Sequence, residues 1–223
     1  MLKRLIRSVR QRGLKRTVAR LPRIARRAYA KQQSEAFDQK YGVRTAGSIA
    51  TPRGIGTVDS RGYEPISLDW FRRMMSHVDV PLDGYQFVDV GCGLGRAMML
   101  AGAYSFEAIV GIEYQESLVD AGRGNMDQFC EITGDTRSRF TIVQGDAATY
   151  EWVAAPTVVF LYNPFGADTM ARVLEHAREV FAAAEYDVWI VYRNPVQRNV
   201  WDAEQWLQEV GGDEHYAVWR SAR

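Results

Sequence analysis

Short apolar runs alternate with helical segments from residue 86 onward, and this alternation limits the folds open to the chain. The apolar runs cover residues 86–90, 108–113, 140–144, 157–162, 187–192 and 216–220. The helical segments cover residues 95–104, 116–132, 168–184 and 200–210. Apolar strands separated by helices of this length are typical of a parallel sheet buried between helices. We therefore predict an α/β fold: a doubly wound, mainly parallel sheet of six or seven strands with helices on both faces.

The first 31 residues differ from the rest of the chain in charge. They hold 12 of the 28 Lys and Arg residues and none of the 27 Asp and Glu residues, although the whole chain has a net charge of only +1. Four apolar residues among them have the spacing of one helical face: Leu2, Leu5, Ile6 and Val9. We predict a basic helical arm over residues 1–40, divided at Gly13 and Pro22. A linker loop over 41–62 and one domain over 63–223 follow.

Charge alone does not separate three interpretations of the basic arm. It can dock on the acidic remainder of this or a neighbouring chain, or attach to an anionic membrane surface. It can also neutralise the phosphates of a nucleic acid. An organellar transit peptide has a similar composition, so these alternatives stay open.

The composition excludes several classes of protein. A hydrophobic fraction of 47% and a charged fraction of 25% are typical of globular proteins. Cys92 and Cys130 are too few for a disulfide framework, which favours a reducing compartment. No apolar run approaches the roughly 20 residues that cross a bilayer, and the three histidines lack metal-ligand spacing. We expect a cytoplasmic protein without a metal ion, either free or peripheral to a membrane.

A glycine-rich loop follows the first predicted strand. It reads Asp89-Val90-Gly91-Cys92-Gly93-Leu94-Gly95-Arg96. Glycine permits positive φ and lets a ligand approach the backbone, and the helix that follows presents free N–H groups to an anion. The dinucleotide pattern G-x-G-x-x-G would need a glycine at Arg96. The loop therefore disfavours NAD, and it lacks the Gly-Lys-Ser/Thr of a phosphate-binding P-loop.

The loop resembles the first motif, D-x-G-x-G-x-G, of the class I S-adenosylmethionine-dependent methyltransferases. Three later segments resemble motifs of that superfamily in the same order: Ile109-Val110-Gly111-Ile112-Glu113, Gln144-Gly145-Asp146-Ala147 and Leu161-Tyr162-Asn163-Pro164-Phe165. Each stands at the end of a predicted strand, and the resemblance covers about residues 60–220. It implies a Rossmann-like fold, S-adenosyl-L-methionine as cofactor, and transfer of a methyl group to an unidentified protein or small molecule.

The resemblance implies a role for each strand-end residue. Glu113 is expected to accept hydrogen bonds from both ribose hydroxyls. Asp146 is expected to accept one from the adenine amino group, beside the Ala147 N–H. Asp89 would hold the methionine ammonium, and Tyr63 would fold over the cofactor as a lid. The N–H groups of the loop would face the methionine carboxylate, which adds four residues to the predicted cofactor site: Gly91, Cys92, Gly93 and Gly95.

Structural roles compete with some of these assignments. Glu113 can be a solvated acid at a strand end, and Asp146 can be the N-cap of a short helix. Cys92 is interpreted as a small filling residue rather than a reactive thiol. Arg96 is expected to be an exposed residue of the first helical turn.

The fourth motif carries the predicted chemistry. Methyl transfer requires the nucleophile, the methyl carbon and the sulfur to lie in line. Asn163 offers an amide oxygen to an amine and also lies next to the cofactor, Pro164 leaves backbone carbonyls free, and Phe165 presents an aromatic face. In relatives that methylate amines, the corresponding motif is Asn-Pro-Pro-aromatic or similar, whereas this chain has one proline. We predict these three residues as catalytic and an amine nitrogen as the acceptor.

Two further features extend the predicted substrate side. Arg193-Asn194-Pro195 repeats an Asn-Pro at the end of the fifth predicted strand. The loop with Tyr63, the glycine loop and the Asn-Pro-Phe segment together resemble methyltransferases related to the histone-lysine enzymes of the Dot1 type. Two other functions are weighed against methyl transfer: a non-catalytic protein whose basic arm holds a membrane or a nucleic acid, and an NAD-dependent oxidoreductase.

Overall fold

The computed structural model describes residues 14–49 and 61–222, with the backbone alone for residues 14–24, 26 and 27. The helices are α1 (Leu14–Tyr41), α2 (Leu68–Met75), α3 (Arg96–Ala101), α4 (Glu116–Thr133), α5 (Ala167–Phe181) and α6 (Arg198–Asp202). The strands are β1 (Gln86–Val90), β2 (Ala108–Glu113), β3 (Phe140–Gln144), β4 (Thr157–Tyr162), β5 (Val188–Arg193), β6 (Leu207–Asp213) and β7 (Tyr216–Ser221). Two short 3₁₀ turns cover Arg137–Arg139 and Ala147–Thr149.

All seven strands form one sheet in the order β3-β2-β1-β4-β5-β7-β6. The first five strands in that order are parallel, whereas β7 runs antiparallel to β5 and to β6. The strand order reverses between β1 and β4, and ligands of open α/β sheets bind beyond the carboxyl ends of the strands at such a point. The predicted doubly wound, mainly parallel fold is confirmed.

Apolar side chains fill both faces of the sheet, which explains why the central strands are continuous apolar runs. Every residue of β1 is buried. Phe87 packs on one face with Phe71 and Phe160, while Val88 lies in the core of the opposite face. Asp89 is therefore the one carboxylate of a fully buried strand, and its position at the carboxyl end of that strand points to a role in binding.

The prediction for residues 200–210 is wrong. Instead of one helix, the chain forms the short α6 and then β6, which pairs only with β7. Most side chains of this edge strand are exposed or half-buried, so it has no apolar run that would reveal a strand. The register also shifts between Glu209 and Gly211, which interrupts the alternation of side chains between the two faces.

The N-terminal arm also differs from the prediction, because α1 is one helix that passes through Pro22 without a break. Its last turns lie against α4, where the Tyr41 ring centroid is 5.1 Å from that of Phe129 and 4.7 Å from that of Phe37. This end of the arm therefore docks on the body. The apolar residues 2–9 and Gly13 lie outside the described residues, so membrane or nucleic-acid binding by the arm stays a prediction. No helix among the described residues is long and apolar enough to cross a membrane.

Candidate functional site

A cleft lies beyond the carboxyl ends of β1, β2, β3 and β4, and residues 61–66 form its outer wall. Ten of the predicted site residues line it: Tyr63, Asp89, Gly91, Cys92, Gly93, Glu113, Asp146, Ala147, Pro164 and Phe165. The predicted Gly95 and Asn163 are not among the lining residues. The fold thus brings together residues that are far apart in the sequence, in part because parallel strands end at the same edge of the sheet.

The glycine loop has the left-handed backbone that its sequence predicts, with φ of 80° at Gly91, 53° at Gly93 and 82° at Gly95. Its N–H groups, however, are bonded within the protein. Those of Gly91 and Cys92 donate to the Ile112 carbonyl at 2.9 and 3.0 Å, and that of Gly95 donates to the Cys92 carbonyl at 2.9 Å. The geometry therefore gives no support to the expectation that these groups bind the methionine carboxylate.

Glu113 ties the loop to the end of β2. Its Oε2 accepts a hydrogen bond from the Gly93 N–H and its Oε1 accepts one from the Gln115 N–H, both at 2.9 Å. Burial raises the pKa of this carboxyl, and the backbone donors lower it. A carboxylate oxygen has two lone pairs, so each oxygen can accept a further hydrogen bond from a ligand in the cleft.

Asp89 is a buried carboxylate with no cation beside it among the residues that the structure describes. Only 4% of the residue is exposed, and no hydrogen bond to its side chain is found among the described residues. Burial, and then the charge of Glu113, raise the pKa of Asp89 to about 8. An unpaired buried acid is costly, and a cationic group in the cleft would lower that cost. This fits the predicted ammonium.

Asp146 serves a structural role as well as lining the cleft. Its Oδ1 accepts a hydrogen bond from the Ala148 N–H at 2.9 Å, so Asp146 is the N-cap of the turn Ala147–Thr149. Its Oδ2 lies 3.9 Å from the Arg172 guanidinium. Asp146 is therefore an N-cap through Oδ1. Its Oδ2 could still accept the predicted hydrogen bond from the adenine amino group.

Tyr63 lies over the glycine loop, as the lid prediction requires. A Cβ atom placed on Gly93 would be only 2.2 Å from Cδ2 of the Tyr63 ring. The Tyr63 hydroxyl donates a hydrogen bond to the Thr45 carbonyl at 2.8 Å, and its backbone forms an antiparallel bridge with Ile49. The ring is thus held from the arm side of the cleft.

Cys92 has the environment of a filling residue. It is buried, and a Cβ atom on Gly111 would lie 2.6 Å from its Sγ. Burial, and then the neighbouring carboxylates of Asp89 and Glu113, raise the pKa of the thiol. A thiol kept protonated is a poor nucleophile, so the packing favours the structural interpretation.

The Asn-Pro-Phe segment turns the chain at the end of β4. Asn163 has a positive φ of 40°, and its amide oxygen is buried with no hydrogen-bond partner among the described residues. Pro164 packs on the loop, since a Cβ atom on Gly91 would be 2.8 Å from its Cβ. Phe165 is buried at the cleft wall. The structure therefore places Pro164 and Phe165 at the cleft surface and the Asn163 amide beneath it.

Comparison with solved structures identifies the fold. The glycopeptide N-methyltransferase MtfA is 12% identical over 72% of this chain and 91% of its own, with a TM-score of 0.53. A protein from Methanococcus maripaludis, assigned as an S-adenosyl-L-methionine-dependent methyltransferase, is 16% identical over 69% of this chain and 84% of its own, also with a TM-score of 0.53. The chain has the class I methyltransferase fold. No family model and no curated protein sequence matches it.

Within this methyltransferase fold, sequence reasoning missed a group of residues beside the end of β4. Tyr162 and Glu64 both line the cleft. Burial, and then Glu64, raise the pKa of Tyr162 to about 12. The Arg193 guanidinium lies 4.3 Å from the Trp70 ring centroid and 5.6 Å from that of Tyr162. The one sequence signal for Tyr162 is its place directly before Asn-Pro-Phe at the end of β4.

Proposed function

We propose that the protein is an S-adenosyl-L-methionine-dependent methyltransferase that methylates an amine nitrogen. The observation that carries this proposal is the set of three carboxylates, Asp89, Glu113 and Asp146, at the carboxyl ends of three adjacent strands in one cleft. Asp89 is the decisive member, because a buried acid with no donor among the described residues calls for a cation. MtfA, a protein of the same fold, has been solved with sinefungin, an analogue of that cofactor.

The residues present suit the cofactor in three places. Asp89 would hold its ammonium, Glu113 would accept from the ribose hydroxyls, and Asp146 would accept from the adenine amino group. Tyr63 closes the cleft above the loop and excludes water from it. The bound cofactor supplies an electrophilic methyl group, whose bond to the acceptor nitrogen forms as its bond to the sulfonium sulfur breaks.

The end of the cleft beside β4, where the methyl acceptor would bind, favours an amine. Its wall holds the aromatic side chains of Tyr162 and Phe165 together with the exposed carboxylate of Glu64. An aromatic face and a carboxylate both attract a cationic or proton-donating group. Glu64 can hold the N–H groups of the amine and take up the proton that the nitrogen releases. The Tyr162 hydroxyl lies close enough to that carboxylate for Glu64 to raise the pKa of Tyr162.

Calorimetric titration tests the cofactor part of this proposal. S-adenosylhomocysteine should bind with micromolar or better affinity, and NAD should not bind. Release of S-adenosylhomocysteine from S-adenosyl-L-methionine should then be measured with small primary amines and, separately, with the matching alcohols. Binding of NAD alone would overturn the cofactor assignment. Turnover with alcohols and none with amines would overturn the acceptor class.

Replacing Glu113 by alanine should weaken S-adenosylhomocysteine binding by a factor of at least about 10. Each charge-assisted hydrogen bond to a ribose hydroxyl contributes roughly 1.5–3 kcal/mol, and the loss of the Gly93 contact loosens the loop as well. Glu131→Ala, an exposed glutamate of α4 outside the cleft, is the matched control and should bind normally. Equal affinities of the two variants, measured by calorimetry, would contradict the role of Glu113.

Replacing Asn163 by glycine should lower kcat by about tenfold or more while leaving cofactor affinity within about twofold, because a group that acts only in the transition state affects turnover. Glycine is the right substitution, since the φ of 40° would strain alanine. Steady-state kinetics and calorimetry on the same preparation give both values. A normal kcat would leave Asn163 with the turn as its only role.

A further inference from the structure

The arginine directly after the glycine loop is buried, whereas the sequence predicted an exposed one. Only 3% of Arg96 is exposed. Its Nη2 donates to Asp38 Oδ1 at 2.8 Å and to the Ser34 hydroxyl at 3.0 Å, and its Nε donates to the Thr45 hydroxyl. The guanidinium carbon lies 4.0 Å from the Phe37 ring centroid. All four partners belong to the end of α1 and the loop that follows it.

Asp38 holds the same loop in place from the other side. Its Oδ2 accepts hydrogen bonds from the Thr45 N–H at 2.6 Å and the Ala46 N–H at 2.7 Å, and its Oδ1 accepts one from the Thr45 hydroxyl at 2.7 Å. The Thr45 carbonyl in turn accepts the Tyr63 hydroxyl. Asp38 therefore connects the arm to the arginine of the glycine loop and, through Thr45, to the lid.

These hydrogen bonds link five residues that lie next to the glycine loop. We call this group the clasp; its members are Ser34, Asp38, Thr45, Tyr63 and Arg96. Arg96 fixes the start of α3 at one end of the loop, and the Tyr63 ring lies on Gly93 in its middle. The composition suggests that basic residues of the arm contact acidic residues of the body. In this ion pair the charges are reversed, because the acid, Asp38, belongs to the arm and the base, Arg96, belongs to the body. The described end of the arm therefore docks through a specific buried ion pair.

Two residues of the clasp, Arg96 and Tyr63, also line the proposed cofactor cleft. The Nε and Nη2 groups of Arg96 donate their hydrogen bonds within the clasp, and through them Arg96 fixes the position of the loop. If Asp38 is lost, a buried guanidinium is left without its counter-charge and must move toward solvent. The start of α3 and the Gly93 N–H that holds Glu113 would then shift with it.

We propose that Asp38 and Arg96 are positioning residues, and that docking of residues 34–46 on the body and binding of S-adenosyl-L-methionine are thermodynamically coupled. The coupling is reciprocal, because a ligand that binds only the docked form must favour docking. The N-terminal arm thereby becomes part of the cofactor site, although it lies outside the sheet. This inference rests on the cofactor part of the proposed function.

Calorimetric titration with S-adenosylhomocysteine separates the two levels of the proposal. If the unaltered protein does not bind the ligand, the proposed function fails and the coupling is refuted with it. If it binds, Asp38→Asn should bind at least about tenfold more weakly, and Arg96→Lys, which keeps the charge but loses the fork of donors, should also bind more weakly. Affinity within about twofold of the unaltered protein for both variants would overturn the positioning role alone.

A matched ion pair outside the cleft provides the control. Arg139 Nη1 lies 2.6 Å from Asp135 Oδ1, and their side chains are 23% and 16% exposed. Asp135→Asn removes the acid of this pair as Asp38→Asn does in the clasp, and it should leave the affinity for S-adenosylhomocysteine within about twofold. A loss equal to that of Asp38→Asn would show that lowered stability, rather than the position of the loop, governs the affinity, and would overturn the inference.

Hydrogen exchange on the unaltered protein tests the coupling without any substitution. Saturating S-adenosylhomocysteine should slow exchange of the backbone amides in residues 34–46 by a factor of at least about 5, because the ligand favours the docked form. Amides of β7, at the far side of the sheet, should be unchanged. Unchanged exchange in residues 34–46, together with measurable binding, would overturn the coupling even if the variants fail to fold.

Discussion

Asparagine in place of Asp89 should stabilise the empty protein above pH 8 and at the same time remove most of its affinity for S-adenosylhomocysteine. The two effects have one cause, because the carboxylate is buried with no counter-charge in the part of the chain that the structure describes, and a cationic ligand would provide one. In the free protein the charge is a cost, and in the complex it is the binding group. We expect a gain of at least about 5 °C in melting temperature at pH 9, given about 2–4 °C per kcal/mol for a chain of this size.

The pH dependence follows from the raised pKa of Asp89. The unfolded chain loses this proton near pH 4, whereas the folded protein keeps it until about pH 8. Between these values the folded state binds more protons, so the free energy of unfolding falls as the pH rises, and above pH 8 the penalty is constant. The advantage of Asp89→Asn should therefore be absent below pH 4, grow between pH 4 and 8, and level off.

Thermal denaturation from pH 5 to 9 measures this difference, with Asp83→Asn as an exposed control that should follow the unaltered protein. Calorimetry at pH 7.5 in two buffers of different ionisation enthalpy then gives the number of protons that are released when the ligand binds. Binding of S-adenosylhomocysteine should release a larger number of protons from the unaltered protein than from Asp89→Asn. A variant that is less stable at pH 9, or that binds normally, would contradict the assignment.

The bounds of the first four strands could be read from the sequence, because each is a run of apolar residues that ends at an acid, a glycine or an asparagine. The strand β6 could not, because an edge strand keeps polar side chains on its exposed positions. Glu113 and Asp146 were predicted as site residues from the resemblance of their strand-end motifs to those of a known superfamily, and the structure places both in the cleft because parallel strands bring those ends together. These predictions rest on patterns within short stretches of the sequence.

The clasp could not be predicted, because its contacts join residues that are far apart in the sequence. Arg96 and Asp38 are 58 positions apart, and neither lies in a pattern that marks it as buried. A charged residue after a glycine loop is expected in solvent, and only the docked end of α1 changes that. Asn163 shows the same limit, because its place at a strand end was evident while the burial of its amide oxygen depends on how the chain turns at Pro164.

Alanine in place of Gly93 should reduce the affinity for S-adenosylhomocysteine by at least about tenfold, corresponding to about 1.4 kcal/mol. Two costs are combined in this substitution. A non-glycine residue at the φ of 53° costs about 1 kcal/mol, and the new Cβ atom would lie 2.2 Å from the Tyr63 ring, so the lid must move away from the cleft. The second cost is the one that concerns the cofactor.

A control glycine and a second background separate these two costs. Gly134 has a φ of 72°, and a Cβ atom added to it would meet no atom within 4 Å. Gly134→Ala therefore carries the conformational cost alone, and it should lower stability and leave binding unchanged. In a Tyr63→Ala background the collision is absent, and the further loss of affinity caused by Gly93→Ala should shrink to about twofold or less. Contacting residues show such non-additivity in double-mutant cycles. Strictly additive losses would mean that the Tyr63 ring does not cover the loop in solution, and the lid would have to be assigned elsewhere.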